Sequence, residues 1–129
     1  MTIMFALLLA ASQASIAPTT EPPLAVPAEW AVMPPMPWRS EPVLTPDLTS
    51  FVDGEVRAGR CVPTRPAIAV ELAVFVRADG FVRAVVPRAI NCPSVEQFAA
   101  GLVTSFARNN LRQPAAGWYR TAITFARGK

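Results

Sequence analysis

Nine of the 14 prolines lie between Pro18 and Pro46. Proline fixes φ and has no N–H, so neither a helix nor a central strand persists through such a stretch. Polyproline II and extended coil remain, and residues 15–45 read as a tether. A domain built around a core must then come from residues 46–129. Trp30, Val32, Met33, Met36 and Trp38 sit among the prolines. Large apolar side chains there fit a plain linker, or a segment that docks on the folded domain or on a partner.

Ahead of the tether, Ile3 to Ala11 is a nine-residue apolar run. A membrane span needs about 20 residues, whereas the central region of a signal peptide is this short. Ser12-Gln13-Ala14 supplies small residues for cleavage after Ala14, giving a signal peptide over residues 1–14 and an exported, periplasmic chain. Cleavage after Ala17 is the second option, disfavoured by the Pro18 that would follow. Export places the two cysteines, Cys61 and Cys92, in an oxidising compartment, where one disulfide is their simplest use. The alternative is a free thiol, activated by a helix starting at Pro93.

Three strands and two helices are legible after Pro46. Thr45-Pro46 resembles an N-cap followed by proline at the first helical position. Leu48, Phe51, Val52 and Val56 form a helical stripe, and Gly59 suits the residue just past the end, so a short helix is predicted over 46–58. From Ala67 to Ala78, Ile68, Val70, Leu72, Val74 and Val76 alternate on one strand face. Asp79-Gly80 suits a two-residue type I′ turn. The return strand, Phe81 to Ile90, would then place Val76 opposite Arg83, Val74 opposite Val85 and Ala67 opposite Cys92. Ser94 and Gln97 fit a capping box. Val95, Phe98, Leu102 and Phe106 form one face of a helix running to about Arg108 and ended by Asn109-Asn110. Trp118 to Arg127 is the last strand.

The order strand, strand, helix, strand implies a right-handed crossover that lays the third strand beside the first. The fold class is α+β: a three-stranded antiparallel sheet of order 2-1-3 with one helix packed on it, preceded by a short helix. Pro87 agrees, because proline belongs on an edge strand and the second strand is one here. The third strand is the other edge. Its residues Trp118, Tyr119, Arg120, Thr121, Ala122, Ile123, Thr124 and Phe125 are the candidate partner-binding strand. Tyr119, Thr121, Ile123 and Phe125 would offer alternate side chains to an added peptide.

Charge is unevenly spread. Residues 1–57 carry two bases and six acids, net −4, and residues 58–129 carry ten and three, net +7. The absence of histidine excludes Ser-His-Asp and Cys-His catalysis and any imidazole zinc site. In the basic half the acids are Glu71, Asp79 and Glu96. The turn explains Asp79, the first helical turn explains Glu96, and Glu71 is placed to pair with an arginine. No catalytic pair, metal site or cofactor is expected.

Residues 67–127, with VELAVFVRADGFVRAVV, the helix from Ser94, LRQPAAGW and YRTAITF, resemble the C-terminal domain of TonB, the periplasmic part of an energy transducer that acts on outer-membrane receptors. The resemblance implies this fold over the domain 46–129. It also implies a last strand that pairs with a short segment of a receptor. Energy-transducing members have a long transmembrane helix where this chain has the apolar run. The expectation is a non-catalytic periplasmic binding module that contacts an outer-membrane receptor or another envelope protein by strand addition. The alternatives are a self-pairing dimeric envelope protein, a solvated edge guarded by Arg120 and Arg127, or a basic module on anionic surfaces.

Overall fold

The computed structural model describes residues 25–63 and 65–126. The expected signal peptide, the start of the tether and Arg127 lie outside the described residues. Helix α1 spans Pro46–Arg57, strand β1 Ala67–Val76, strand β2 Val82–Pro87, helix α2 Pro93–Ala107 and strand β3 Gly117–Ala126. A 3₁₀ turn at Trp30–Val32 precedes them. The sheet has the order β2-β1-β3, and both pairings are antiparallel. The predicted order and fold class are therefore those of the structure.

The hairpin differs from expectation in its turn. Type I′ needs positive φ at both central residues, but at this turn only Gly80, at 88°, has it. Gly80 N–H instead donates to the Arg77 carbonyl at 2.9 Å, and Arg77 N–H donates to the Phe81 carbonyl at 2.9 Å. The loop thus has one residue more, with Gly80 as its left-handed closing bulge. Val74 faces Val85 as predicted, but the register shifts after Phe75, so Val76 faces Val82 rather than Arg83. β2 stops at Pro87, opposite Leu72, so Cys92 does not face Ala67.

Both helices lie on the sheet face that carries Ile68, Val70, Leu72, Val74 and Val76. α2 buries Val95, Ala99, Val103 and Ala107, a line stepping by four. The predicted Phe98, Leu102 and Phe106 flank that line and are only partly buried. Alanine at two of the four central positions lets the helix approach the sheet closely, and the phenylalanines fill the margin. Phe98 joins the helices and the sheet there. Its ring lies 4.3 Å from Phe51 of α1 and 5.9 Å from Phe125 of β3.

Helix ends follow partly different chemistry from that expected. α1 ends on Gly59, whose N–H donates to Val56, while Arg60 N–H donates to Glu55. These are the two bonds of a Schellman motif, with Gly59 at φ 75°. Thr45 caps α1 without a side-chain hydrogen bond; its carbonyl accepts from Leu48 and Thr49. Ser94 and Gln97 form no capping box. Cys92 is the N-cap residue of α2, and Glu96 reaches back to accept from the N–H groups of Cys92 at 2.9 Å and Ile90 at 3.2 Å. Ser94 Oγ is turned to α1, donating to Glu55 Oε2 at 2.8 Å.

Residues 33–40 are docked on the domain as a strap. Pro35 forms a parallel bridge with Arg120, and Trp38 an antiparallel one with Leu111. Arg39 N–H donates to Asn110 O and Arg112 N–H to Pro37 O, each at 2.8 Å. The Asn110 side-chain amide brackets Ser40, accepting from its N–H at 3.0 Å and donating to its carbonyl at 2.9 Å. Met33, Met36 and Trp38 are buried, and the latter two belong to the helix-side core. Of the two readings of these tether residues, docking on the domain is the one observed.

Candidate functional site

The strap decides which side of β3 is open. Arg120 N–H donates to Pro34 O, and Met36 N–H donates to Arg120 O, each at 2.9 Å. Both backbone groups of Arg120 therefore point away from β1. Strand alternation has period two, and the β1–β3 register runs without a shift. Trp118, Ala122, Thr124 and Ala126 consequently share the outward orientation, while Tyr119, Thr121, Ile123 and Phe125 spend their backbone groups on β1.

The eight predicted site residues thus divide. Tyr119, Ile123 and Phe125 are buried in the helix-side core, so they do not offer side chains to an added peptide, whereas Thr121 is half-buried and reaches a surface groove. That expectation is corrected: the same alternation that made these residues look like a binding face is what packs them under the helices. Tyr119 also closes the preceding loop, its hydroxyl donating to Ala115 O at 2.6 Å. Trp118 lies on the opposite face, edge-on to Phe75 at 5.4 Å. Arg120 is taken by the strap, and its Nε donates to Met33 O at 2.9 Å. Ala122 and Thr124 are exposed, and among the described residues no backbone group outside the sheet bonds to either.

Beside Ala122 a groove of about 690 Å³ opens between β3 and the segment leading into the strap. Trp30, Glu29, Glu41, Glu71 and Arg88 line it. Arg88 Nη1 pairs with Glu71 Oε2 at 2.6 Å, and its guanidinium lies 5.0 Å from the centre of the Trp30 ring. The predicted arginine partner of Glu71 is therefore Arg88. The acids weighed for catalysis all have such contacts: Asp79 accepts from Phe81 N–H at 3.1 Å and pairs with Arg77 at 2.7 Å, and Glu96 caps α2. Among the described residues no group of three or more acidic, cysteine or histidine side chains converges as a metal ion would require.

Cys61 and Cys92 form a disulfide with Cα atoms 5.1 Å apart, within the usual range. It ties the segment after α1 to the start of α2. Glu55 stands beside it and is almost fully buried. Its Oε2 accepts from Arg60 Nε at 2.9 Å as well as from Ser94. The Arg60 hydrogen bond, and then that of Ser94, hold the Glu55 carboxyl below the usual carboxylate range against the opposing pull of burial. Sequence reading missed Glu55, because only the fold brings it to Ser94, 39 residues away. The disulfide is compatible with an extracellular or periplasmic location, and among the described residues no helix is long and apolar enough to cross a membrane.

Comparison of the chain with protein-family models, with curated proteins and with solved structures finds no match.

Proposed function

We propose that this chain is a non-catalytic binding module of the periplasm, released by cleavage after Ala14, that takes up an extended peptide by strand addition along β3. The observation that carries this reading is the outward orientation of Ala122 and Thr124 on an exposed edge beyond the strap. Each presents an N–H and a carbonyl, the backbone pattern that an added strand satisfies. The element order, which resembles that of the TonB C-terminal domain, supports a segment of an outer-membrane receptor or another envelope protein as the partner. The disulfide supports an oxidising compartment.

Proline scanning tests it. Ala122→Pro or Thr124→Pro removes an outward donor and should leave the fold intact by circular dichroism while abolishing capture of envelope proteins by the full chain. Thr121→Pro or Ile123→Pro removes a donor to β1 and should unfold the sheet. Undiminished capture by Ala122→Pro and Thr124→Pro, or no specific capture by the unaltered chain, would remove this reading.

A further inference from the structure

Building on the reading of β3 as an acceptor edge, we infer that the peptide it accepts is cationic, with a lysine or arginine directed into the groove beside Ala122. The chain is basic, at net +3, and its C-terminal half strongly so. The surface bordering the free edge has the opposite character, because the acidic N-terminal segment is folded onto it. Glu29 and Glu41 line the groove from that segment and Glu71 from β1. Within the groove Arg88 pairs with Glu71 and stacks on Trp30, while Arg120 donates to the neutral Met33 carbonyl, so the two carboxylates of Glu29 and Glu41 stand against the one guanidinium, that of Arg120, that has no ion-pair partner there. Arg39, the base within the strap, donates to Leu111 O and lies outside this groove. The Glu29 and Glu41 residues are exposed, and their carboxylates form no hydrogen bond or ion pair among the described residues.

The geometry matches charge to register. A strand added along β3 bonds through its backbone to Ala122 and Thr124. Its alternate side chains then point to the sheet face on which Ala122 lies, toward the groove carboxylates. A cation there meets Glu29 and Glu41, whereas a carboxylate there meets two like charges. Trp30, already lying against one guanidinium, offers the apolar wall along which a lysine or arginine stem can run.

Short capped peptides test this on the full chain: one alternating valine with lysine, one valine with serine and one valine with glutamate. Affinity is read by fluorescence anisotropy of the labelled peptide, and the site by the backbone amide shifts of Ala122 and Thr124. The lysine peptide should bind about five- to tenfold more tightly than the serine peptide, and the glutamate peptide most weakly, as two exposed charge pairs imply. The double variant Glu29→Gln, Glu41→Gln should bring the lysine peptide to the serine value while leaving the serine value unchanged. Equal binding of lysine and serine peptides, with the Ala122 and Thr124 shifts retained, overturns the charge inference and leaves strand addition standing. No shift at Ala122 and Thr124 with any peptide overturns strand addition itself. If light scattering instead shows a dimer whose formation moves the same amides, the occupant is a second copy of this chain and the cationic peptide is rejected.

Discussion

Met33, Met36 and Trp38 of the strap are 2%, 6% and 9% exposed, and Tyr119, Ile123 and Phe125 of β3 are 9%, 4% and 0%. The two sets are equally hidden from water but are held there by different means. β3 pairs with β1 along its whole length, Gly117 to Ala126, so each buried side chain sits on a backbone ladder made within the sheet. The strap has prolines at 34, 35 and 37, and each removes a donor. It borrows partners one at a time: Arg120, Leu111, Asn110 and Arg112. Burial alone therefore does not identify a self-sufficient element; the source of its hydrogen bonds does. The strap is an obligate guest, and β3 is its host.

Four experiments probe this difference, and the first is expected to have the largest effect. Replacing Cys61 and Cys92 by serine frees the segment that carries α1 and the strap from the start of α2. The bridge closes a loop of separation 31, which in the chain-entropy model corresponds to about 3–4 kcal/mol. Urea denaturation of the double variant should show a loss of this size, and an unchanged midpoint would mean that packing alone holds the two parts together. Trp38→Ala removes the largest buried side chain of the strap and should cost about 3 kcal/mol. In hydrogen exchange the Met36, Arg39 and Arg120 amides should lose protection while the β1–β2 amides keep theirs, marking the strap as a unit that opens separately. Equal loss throughout would make strap and sheet one cooperative body.

Asn110→Ala removes both side-chain bonds to Ser40 and should cost about 1 kcal/mol, since the site is exposed. The expected readout is a small fall in melting temperature, with exchange confined to residues 39–41. The smallest effect belongs to Glu55. Its folded-state pKa is lowered, chiefly by the Arg60 hydrogen bond, so the stabilisation is present above the unfolded carboxylate pKa and is lost as pH falls through the folded value. Stability of the unaltered chain should therefore decline more steeply on acidification below the usual carboxylate range than that of Glu55→Gln. Superimposable acid profiles would show that Glu55 contributes nothing to the contact between α1 and α2.

The host is largely legible in the sequence, and the guest is not. Alternation from Ile68 to Val76 is a local pattern with period two, and Pro87 marks an edge strand by its missing donor. Together with the crossover rule they led to the order β2-β1-β3. The errors arose where two local rules competed. Asp79-Gly80 suits both a two-residue and a three-residue turn, and only Gly80 takes positive φ. Ser94 suits a cap, but Glu55 draws its hydroxyl away. In α2, hydrophobicity points to the phenylalanines, whereas the line nearest the sheet is filled by valine and alanine, where close approach matters more than size. The docking of Met33, Met36 and Trp38 depends on the outward groups of Arg120 and on the loop at Leu111, more than 70 residues downstream. No window of sequence contains both partners. For the same reason the tethering residues Glu29 and Glu41 could be read as charge but not as part of a groove.

The disulfide also determines how the molecule would carry a mechanical load. A force applied between the N-terminal segment and β3 travels along the covalent backbone only as far as Cys61, crosses the sulfur bridge and continues from Cys92. The β1–β2 hairpin hangs outside this route. Stretching the oxidised chain therefore releases about 100 Å less length than stretching the reduced one, given 31 residues bypassed at their extended spacing. The central strand can be peeled from β3, but it cannot be drawn out between the two points of attachment.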